Sequence, residues 1–285
     1  MQNFYAGSLK LHDLSAPNDF WLKSPVLGLD TPEYRLSINE KAGEDGGNAS
    51  SAFYGPRLVT LEGYIRGGSV ALYEENRRAF ASAFAINREA NGTPVLTRFE
   101  FTTLSGAQYY FYGIPRRPVF SQTNIDYCDF MVSIVVPQPQ LFSVDEVSSG
   151  QVLLPEPTGI TFPLTFPITF GGVLGGTYAA NNPGTMLSWP VITLRDSLTS
   201  PYILNATTGQ VMQLNYTLLN GDVVEINMLD KTIVLNGSAN LLSTKSLDSE
   251  WWAMQPGNNV IIFASGGGSD TGTLEVTFNP AYVGV

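Results

Sequence analysis

Tyr216–Ile226, YTLLNGDVVEI, and Lys231–Leu242, KTIVLNGSANLL, set the fold class of the chain. Each places an Asn-Gly pair, Asn220-Gly221 or Asn236-Gly237, between short apolar runs. Asn and Gly tolerate the positive φ angles of a type I′ turn, whose twist matches that of two flanking strands, so both stretches are expected to be β-hairpins. Further turn signals recur at Asn182-Pro183-Gly184, Thr208-Gly209 and Pro256-Gly257, at intervals typical of sandwich strands. Residues 143–285 are therefore expected to form an all-β sandwich. Pro137 and Pro139 stop the strand before this region, and Pro155, Pro157, Pro163 and Pro167 exclude a helix at its start.

The first part, residues 1–142, reads as strands with one helix. In RLVTLEGYIRG, Val59, Leu61 and Ile65 alternate with Thr60, Glu62, Tyr64 and Arg66, the period of a half-buried strand. The period then changes. Val70, Tyr73, Phe80 and Phe84 fall at helical spacing, Ser69 can cap the start, and Gly92 with Pro94 is expected to end the helix. Strand patterns resume in VLTRFEFTT, AQYYFYGIP and YCDFMVSIVV, while Ser37–Arg57 is polar and glycine-rich and reads as a long loop serving function or assembly.

A chain of 285 residues is long enough for two domains, with a boundary near Phe142. Hydrophobic residues make up 44% and charged residues 14%, against roughly 25% charged in ordinary globular domains. Such a surface is either covered by neutral polar groups or hidden against partners. The formal charge of −10 is uneven: residues 1–142 hold 12 Lys or Arg against 14 Asp or Glu, residues 143–285 only 3 against 11. An acidic second part disfavours nonspecific DNA binding, which needs clustered cations. The N-terminus lacks a signal-peptide pattern and no apolar run is long enough to span a membrane, so a bacterial cytoplasmic product is expected.

Little in the sequence points to catalysis. Cys128 is the single cysteine and shares a strand face with Phe130, Val132, Ile134 and Val136, the setting of a buried thiol rather than a nucleophile. His12 is the single histidine, in a polar strand or loop, so a triad or a metal site with two histidines has too few residues to draw on. Asp222, Glu225 and Asp230 could supply paired carboxylates for glycoside hydrolysis, yet two of them flank turns, where Asp bonds local backbone. GGGSDTG, residues 266–272, matches one fragment of a calcium-binding repeat that works only in series. Asn48, Asn205, Asn215 and Asn236 head Asn-x-Ser/Thr sequons that matter only in a secreted eukaryotic protein. No catalytic residues, cofactor or metal set are expected.

SEWWAMQPGNNVIIF, Ser249–Phe263, puts Trp251 beside Trp252 just before a turn. Adjacent aromatics can form a platform for a sugar ring, or they can be core. Successive strand residues point to opposite faces, which favours one indole inside and the other over an edge or outer face.

The order of motifs resembles the distal tail proteins of siphophages. VLGLDTPEYR, the GEDGG loop, YGPRLVTLEGYI leading into a helix, and YYFYGIPRRP resemble the ring-forming N-terminal domain of that family. WPVITLRDSLTSPYILNATTGQVMQLNYTLLNGDVVEI, IVLNG, SEWWAMQPGNNVIIF and TLEVTFNPAY resemble its galectin-like C-terminal domain, as found in minor tail proteins of phages infecting actinobacteria. The resemblance implies a mainly β chain: a tail-tube-like β-sandwich or barrel with one helix in residues 1–142, then a galectin-like β-sandwich in 143–285. It also implies a structural, non-enzymatic virion protein, a homo-hexameric ring linking the tail tube protein to tip or baseplate proteins. Tape measure or receptor-binding proteins are further partners, and DNA passes through the lumen without specific binding. The alternative function is a carbohydrate-binding adhesion module with Trp251 and Trp252 as its platform. A ring that must release DNA needs a lumen without a strong positive field, so Arg77, Arg78, Arg116 and Arg117 are expected to pair with carboxylates such as Glu74 and Glu75 or to face tip proteins.

Overall fold

The computed structural model of the chain describes residues 1–14, 19–23, 25–154, 176–268 and 270–285. It divides into two compact units, Met1–Val144 with Tyr282–Val285, and Asp145–Ala281. The proline-bearing stretch 155–167 lies outside the described residues, as does part of the GGGSDTG tip.

In the first unit, antiparallel strands run in the order Leu9–Asp13, Asn3–Ala6, Thr97–Thr102, Gln108–Pro115, Tyr127–Val136, Arg57–Arg66, Phe20–Leu22. The longest ladder joins Arg57–Arg66 to Tyr127–Val136 in unbroken register, from Tyr127 opposite Arg66 to Val136 opposite Arg57. Gln108–Pro115 meets Tyr127–Val136 only at Ile114 and Pro115, so the layers join at a corner and each closes over the core. The period-two pattern decides what enters it: Val59, Leu61 and Ile65 from one strand, Cys128, Phe130, Val132, Ile134 and Val136 from the next. Helix α1, Val70–Ala83, covers the open side. Its Phe80 lies 4.4 Å from the Phe130 ring and 4.6 Å from Phe84.

Ser69 caps α1, its hydroxyl accepting the Leu72 N–H at 3.3 Å. The helix ends at Ala83, well before Gly92 and Pro94. There a short turn supplies other backbone partners, with the Glu89 N–H bonded to the Thr93 carbonyl and the Val95 N–H to the Asn87 carbonyl. Tyr73, Phe80 and Phe84 are buried as their spacing requires, whereas Val70 in the first turn is exposed.

The second unit is a two-layer sandwich. One sheet runs Val147–Ser148, Thr273–Phe278, Val191–Arg195, Val223–Asn227, Thr232–Leu235, Ala239–Asn240; the other runs Gly176–Asn182, Gly257–Ala264, Tyr202–Asn205, Gln210–Gln213. Ile192, Leu194, Val224, Ile226, Leu274 and Val276 from the first meet Ile203, Met212, Ile261 and Phe263 from the second.

Of the two stretches that set the fold class, only the second is a hairpin. Asn236 and Gly237 sit at φ of 50° and 71°, and the Ser238 N–H bonds the Leu235 carbonyl at 3.1 Å, which is a type I′ turn. Thr217–Leu218 instead pairs with Leu198–Thr199, and Val223–Asn227 with Val191–Arg195 and Thr232–Leu235. The Asn220-Gly221 turn is tight, yet it passes the chain from one sheet to another. Asp222 holds that corner by accepting the Leu219 N–H and the Asn236 side-chain amide.

Candidate assembly surfaces

The Ser37–Arg57 stretch expected to be a loop is largely an arm. Tyr34–Arg35 pairs with Phe53–Tyr54 and Ile38–Glu40 with Gly47–Ala49, and Gly43 and Gly46 turn its tip with φ of 83° and 93°. The arm's apolar side chains have little to cover them: Ile38 is 61% exposed and Phe53 60%, and Tyr34 and Leu36 are also exposed. A thin, two-stranded extension has no core of its own and is marginal alone in water. Its apolar surface is suited to burial against another molecule.

At the root of the arm stands Arg57, whose guanidinium is on the inner face of its strand and only 2% exposed. Its donors go to backbone carbonyls: Nε and Nη2 to Pro139, Nη1 to Gly28 and Asp30, and Nη2 also to Val283. Burial pushes this group down to about 10, which leaves it protonated at neutral pH. A fork of rigid donors that meets several carbonyls at once is a role lysine cannot fill. Nothing in the strand pattern marks Arg57, since a charged residue at a strand's first position reads as solvated. Beside it, a groove of about 620 Å³ is lined by Met1, Leu29, Phe101, Leu104, Tyr109 and Tyr282 among others.

Trp252 is 1% exposed within the sandwich core, and Trp251 is half-buried against the same cluster. Residues 251–253 are not in a strand, so the two indoles are separated by the path of a connection rather than by strand alternation. A sugar ring cannot reach Trp252 in this fold, which leaves Trp251 as the only accessible face of the pair. The turn that follows is built around buried Asn259, whose side chain accepts the Gln255 N–H at 2.8 Å and donates to the carbonyls of Gln255 and Gly257.

The residues considered for catalysis lie in structural settings. His12, expected in a polar strand or loop, is buried in the Leu9–Asp13 strand. Its ring meets Trp21 edge-on at 4.5 Å and Nδ1 accepts the Leu22 N–H at 3.4 Å. Burial pushes its pKa down, assisted by the Met1 amino group and opposed by Asp13. The Asp222 carboxyl is held below the usual range by the hydrogen bond from the Leu219 N–H and then by that from Asn236. Asp230 accepts from the Asn227 side chain at 2.8 Å, so it too serves a turn. Asn205, one of the sequon asparagines, is fully buried, donates to the Ala253 carbonyl and accepts the N–H groups of Thr207 and Thr208.

Pairing of Arg77, Arg78, Arg116 and Arg117 with Glu74 or Glu75 is absent among the described residues. Arg78 instead donates to the backbone carbonyl of Glu74 at 3.2 Å, and Arg77 lies over the Phe120 ring at 4.9 Å. Exposed ion pairs gain little in water, and a neutral carbonyl or an aromatic face competes well with them.

Residues 183–282 match the family model described as siphovirus-type tail component, C-terminal domain. No curated protein sequence matches the chain. Among solved structures, the SPP1 Dit protein, described as a paradigm of the hub adsorption apparatus in phages infecting Gram-positive bacteria, aligns with a TM-score of 0.62 at 14% identity, over 89% of this chain and 91% of that one. A chain of the phage P2 baseplate in its activated conformation with calcium aligns with a TM-score of 0.53 at 7% identity, over 96% and 97% of the two chains. The same baseplate with strontium gives 0.51 at 8% identity, over 96% of each chain. At these identities the likeness is one of fold: mainly β, and shared along nearly the whole chain.

Proposed function

We propose, for a chain whose residues 183–282 match the model described as siphovirus-type tail component, C-terminal domain, that it is a structural subunit at the distal end of a siphovirus tail, in the hub of the baseplate or tip. The observation that carries this reading is the family match within a chain whose fold runs the length of a phage hub protein. In this reading the subunit is a virion component, not an enzyme, and its partners are tail-associated proteins.

The finer reading is a homo-hexameric ring closed by the first unit, with tail tube protein on one side and tip or baseplate proteins on the other. A closed ring uses a head-to-tail interface whose two patches differ on each subunit, and the exposed apolar arm supplies one such patch. Low charge content supports extensive contact with neighbours, because interface cores are depleted of charged residues. The acidic balance supports passage of DNA without retention. The chain is made in the host cytoplasm and joins the particle there.

Immunogold labelling of intact virions with antibody to this chain tests the reading. Gold at the distal tip of the tail supports it; gold along the tube or on the capsid, with a bare tip, overturns it.

A further inference from the structure

We propose that residues 282–285 are a closing strap that completes the first unit only after residues 145–281 have been made. The consequence for assembly rests on the ring reading above; the strap itself does not. The first unit draws on two separated stretches, Met1–Val144 and Tyr282–Val285. Its second stretch makes several contacts of different kinds. The Val283 carbonyl accepts from Arg57, and the Val285 N–H donates to the Leu29 carbonyl at 3.3 Å. Tyr282 meets the Tyr109 ring edge-on at 5.3 Å. Gly284 lies so close to the neighbouring loop that an added Cβ would stand 2.8 Å from the Asp30 carbonyl carbon.

The contact with Arg57 couples the strap to the rest. This guanidinium is buried and is held by the carbonyls of Gly28, Asp30, Pro139 and Val283, with no carboxylate bonded to it among the described residues. A buried charge is tolerated only while its donors are satisfied, and losing one acceptor costs the desolvation of that donor. Before residue 283 arrives, the Arg57 fork is incomplete. The loop Gly28–Asp30, which shares Arg57 with the strap and bonds it through Leu29, then lacks its cover. The wall of the adjacent groove formed by Tyr282, Gly284 and Val285 is also absent. The strap therefore delays a finished first unit until the chain has passed residue 282, and truncated or partly made chains are kept out of the ring.

Hydrogen exchange read by mass spectrometry on the full-length protein tests this, together with two variants: a chain ending at Ala281 and Gly284→Val, which pushes the strap off Asp30 without removing it. The strap account expects exchange across residues 27–31 to rise by about tenfold or more in both, while exchange across Gly257–Ala264 in the second unit stays unchanged. If exchange in the second unit also rises in the truncated chain, that chain has failed to fold as a whole and Gly284→Val decides. Unchanged exchange at 27–31 in Gly284→Val overturns the strap. Light scattering on the same samples reads assembly. Fewer rings in the variants than in the parent support the assembly consequence; equal ring content overturns it. A parent that forms no rings overturns the ring reading and that consequence together, while exchange at 27–31 still decides the strap.

Discussion

Single residues carry separable loads in this chain. Trp252 fills the core of the second unit while Trp251 covers its edge. Trp252→Ala should lower unfolding stability by about 3–5 kcal/mol, as large aromatic truncations in cores do, and Trp251→Ala by well under half of that. Urea unfolding of both variants checks it; equal, small losses would remove Trp252 from the core. His12 offers a second measurement. Its folded pKa lies below its ordinary value of 6.5, so the unfolded chain takes up a proton more readily than the folded one. The stability contributed by neutral His12 is complete above about pH 6.5, falls as the pH drops through that value, and levels off below the folded pKa. Wild type should therefore lose more stability than His12→Gln between pH 7.5 and 5.5, and parallel losses would contradict the burial argument.

At the scale of elements, the arm and the turns make opposite predictions. The arm, residues 34–54, buries little within its own unit, so replacing Ser37–Ser50 with a two-residue turn should leave the melting temperature within a few degrees and abolish oligomers seen by light scattering. A large fall in melting temperature would make the arm part of the unit's own fold. Gly237→Val, by contrast, forces a β-branched residue into φ of 71° and should cost about 1–2 kcal/mol, measurable by urea unfolding. These elements also mark where the sequence was legible. Local chemistry reads directly: Ser69 as a cap, Asn236-Gly237 as a type I′ turn, Cys128 to Val136 as one buried face. Partnership over distance does not. Asn220-Gly221 looks like the other hairpin, but which strand Val223–Asn227 joins is decided by packing of Ile192 and Leu194 far upstream. Helix α1 stops at Ala83, short of the Gly92-Pro94 signal, because a competing turn at 87–95 takes the backbone bonds before Gly92 is reached. Arg57 left no mark, since its acceptors are main-chain carbonyls scattered from Gly28 to Val283. The paired tryptophans do part, but through the path of a connection outside any strand, so strand alternation gave the wrong reason and which indole is buried required the fold.

For the whole molecule, charge and assembly are the terms that matter. A net charge of −10 opposes phosphate binding, so the purified protein should bind duplex DNA no better than weakly at 50 mM salt, with a shallow salt dependence in a filter or fluorescence assay. Tight, steeply salt-dependent binding would mean that Arg77, Arg78, Arg116 and Arg117 gather along one surface of the assembly. The central claim is that this chain is a ring subunit of a siphovirus tail end, closed through its first unit. Cryo-electron microscopy of the purified full-length protein tests that most directly. The account predicts closed six-fold rings in which Met1–Val144 forms the continuous inner contact. Monomers at every concentration, or rings closed through Asp145–Ala281 alone, would contradict it.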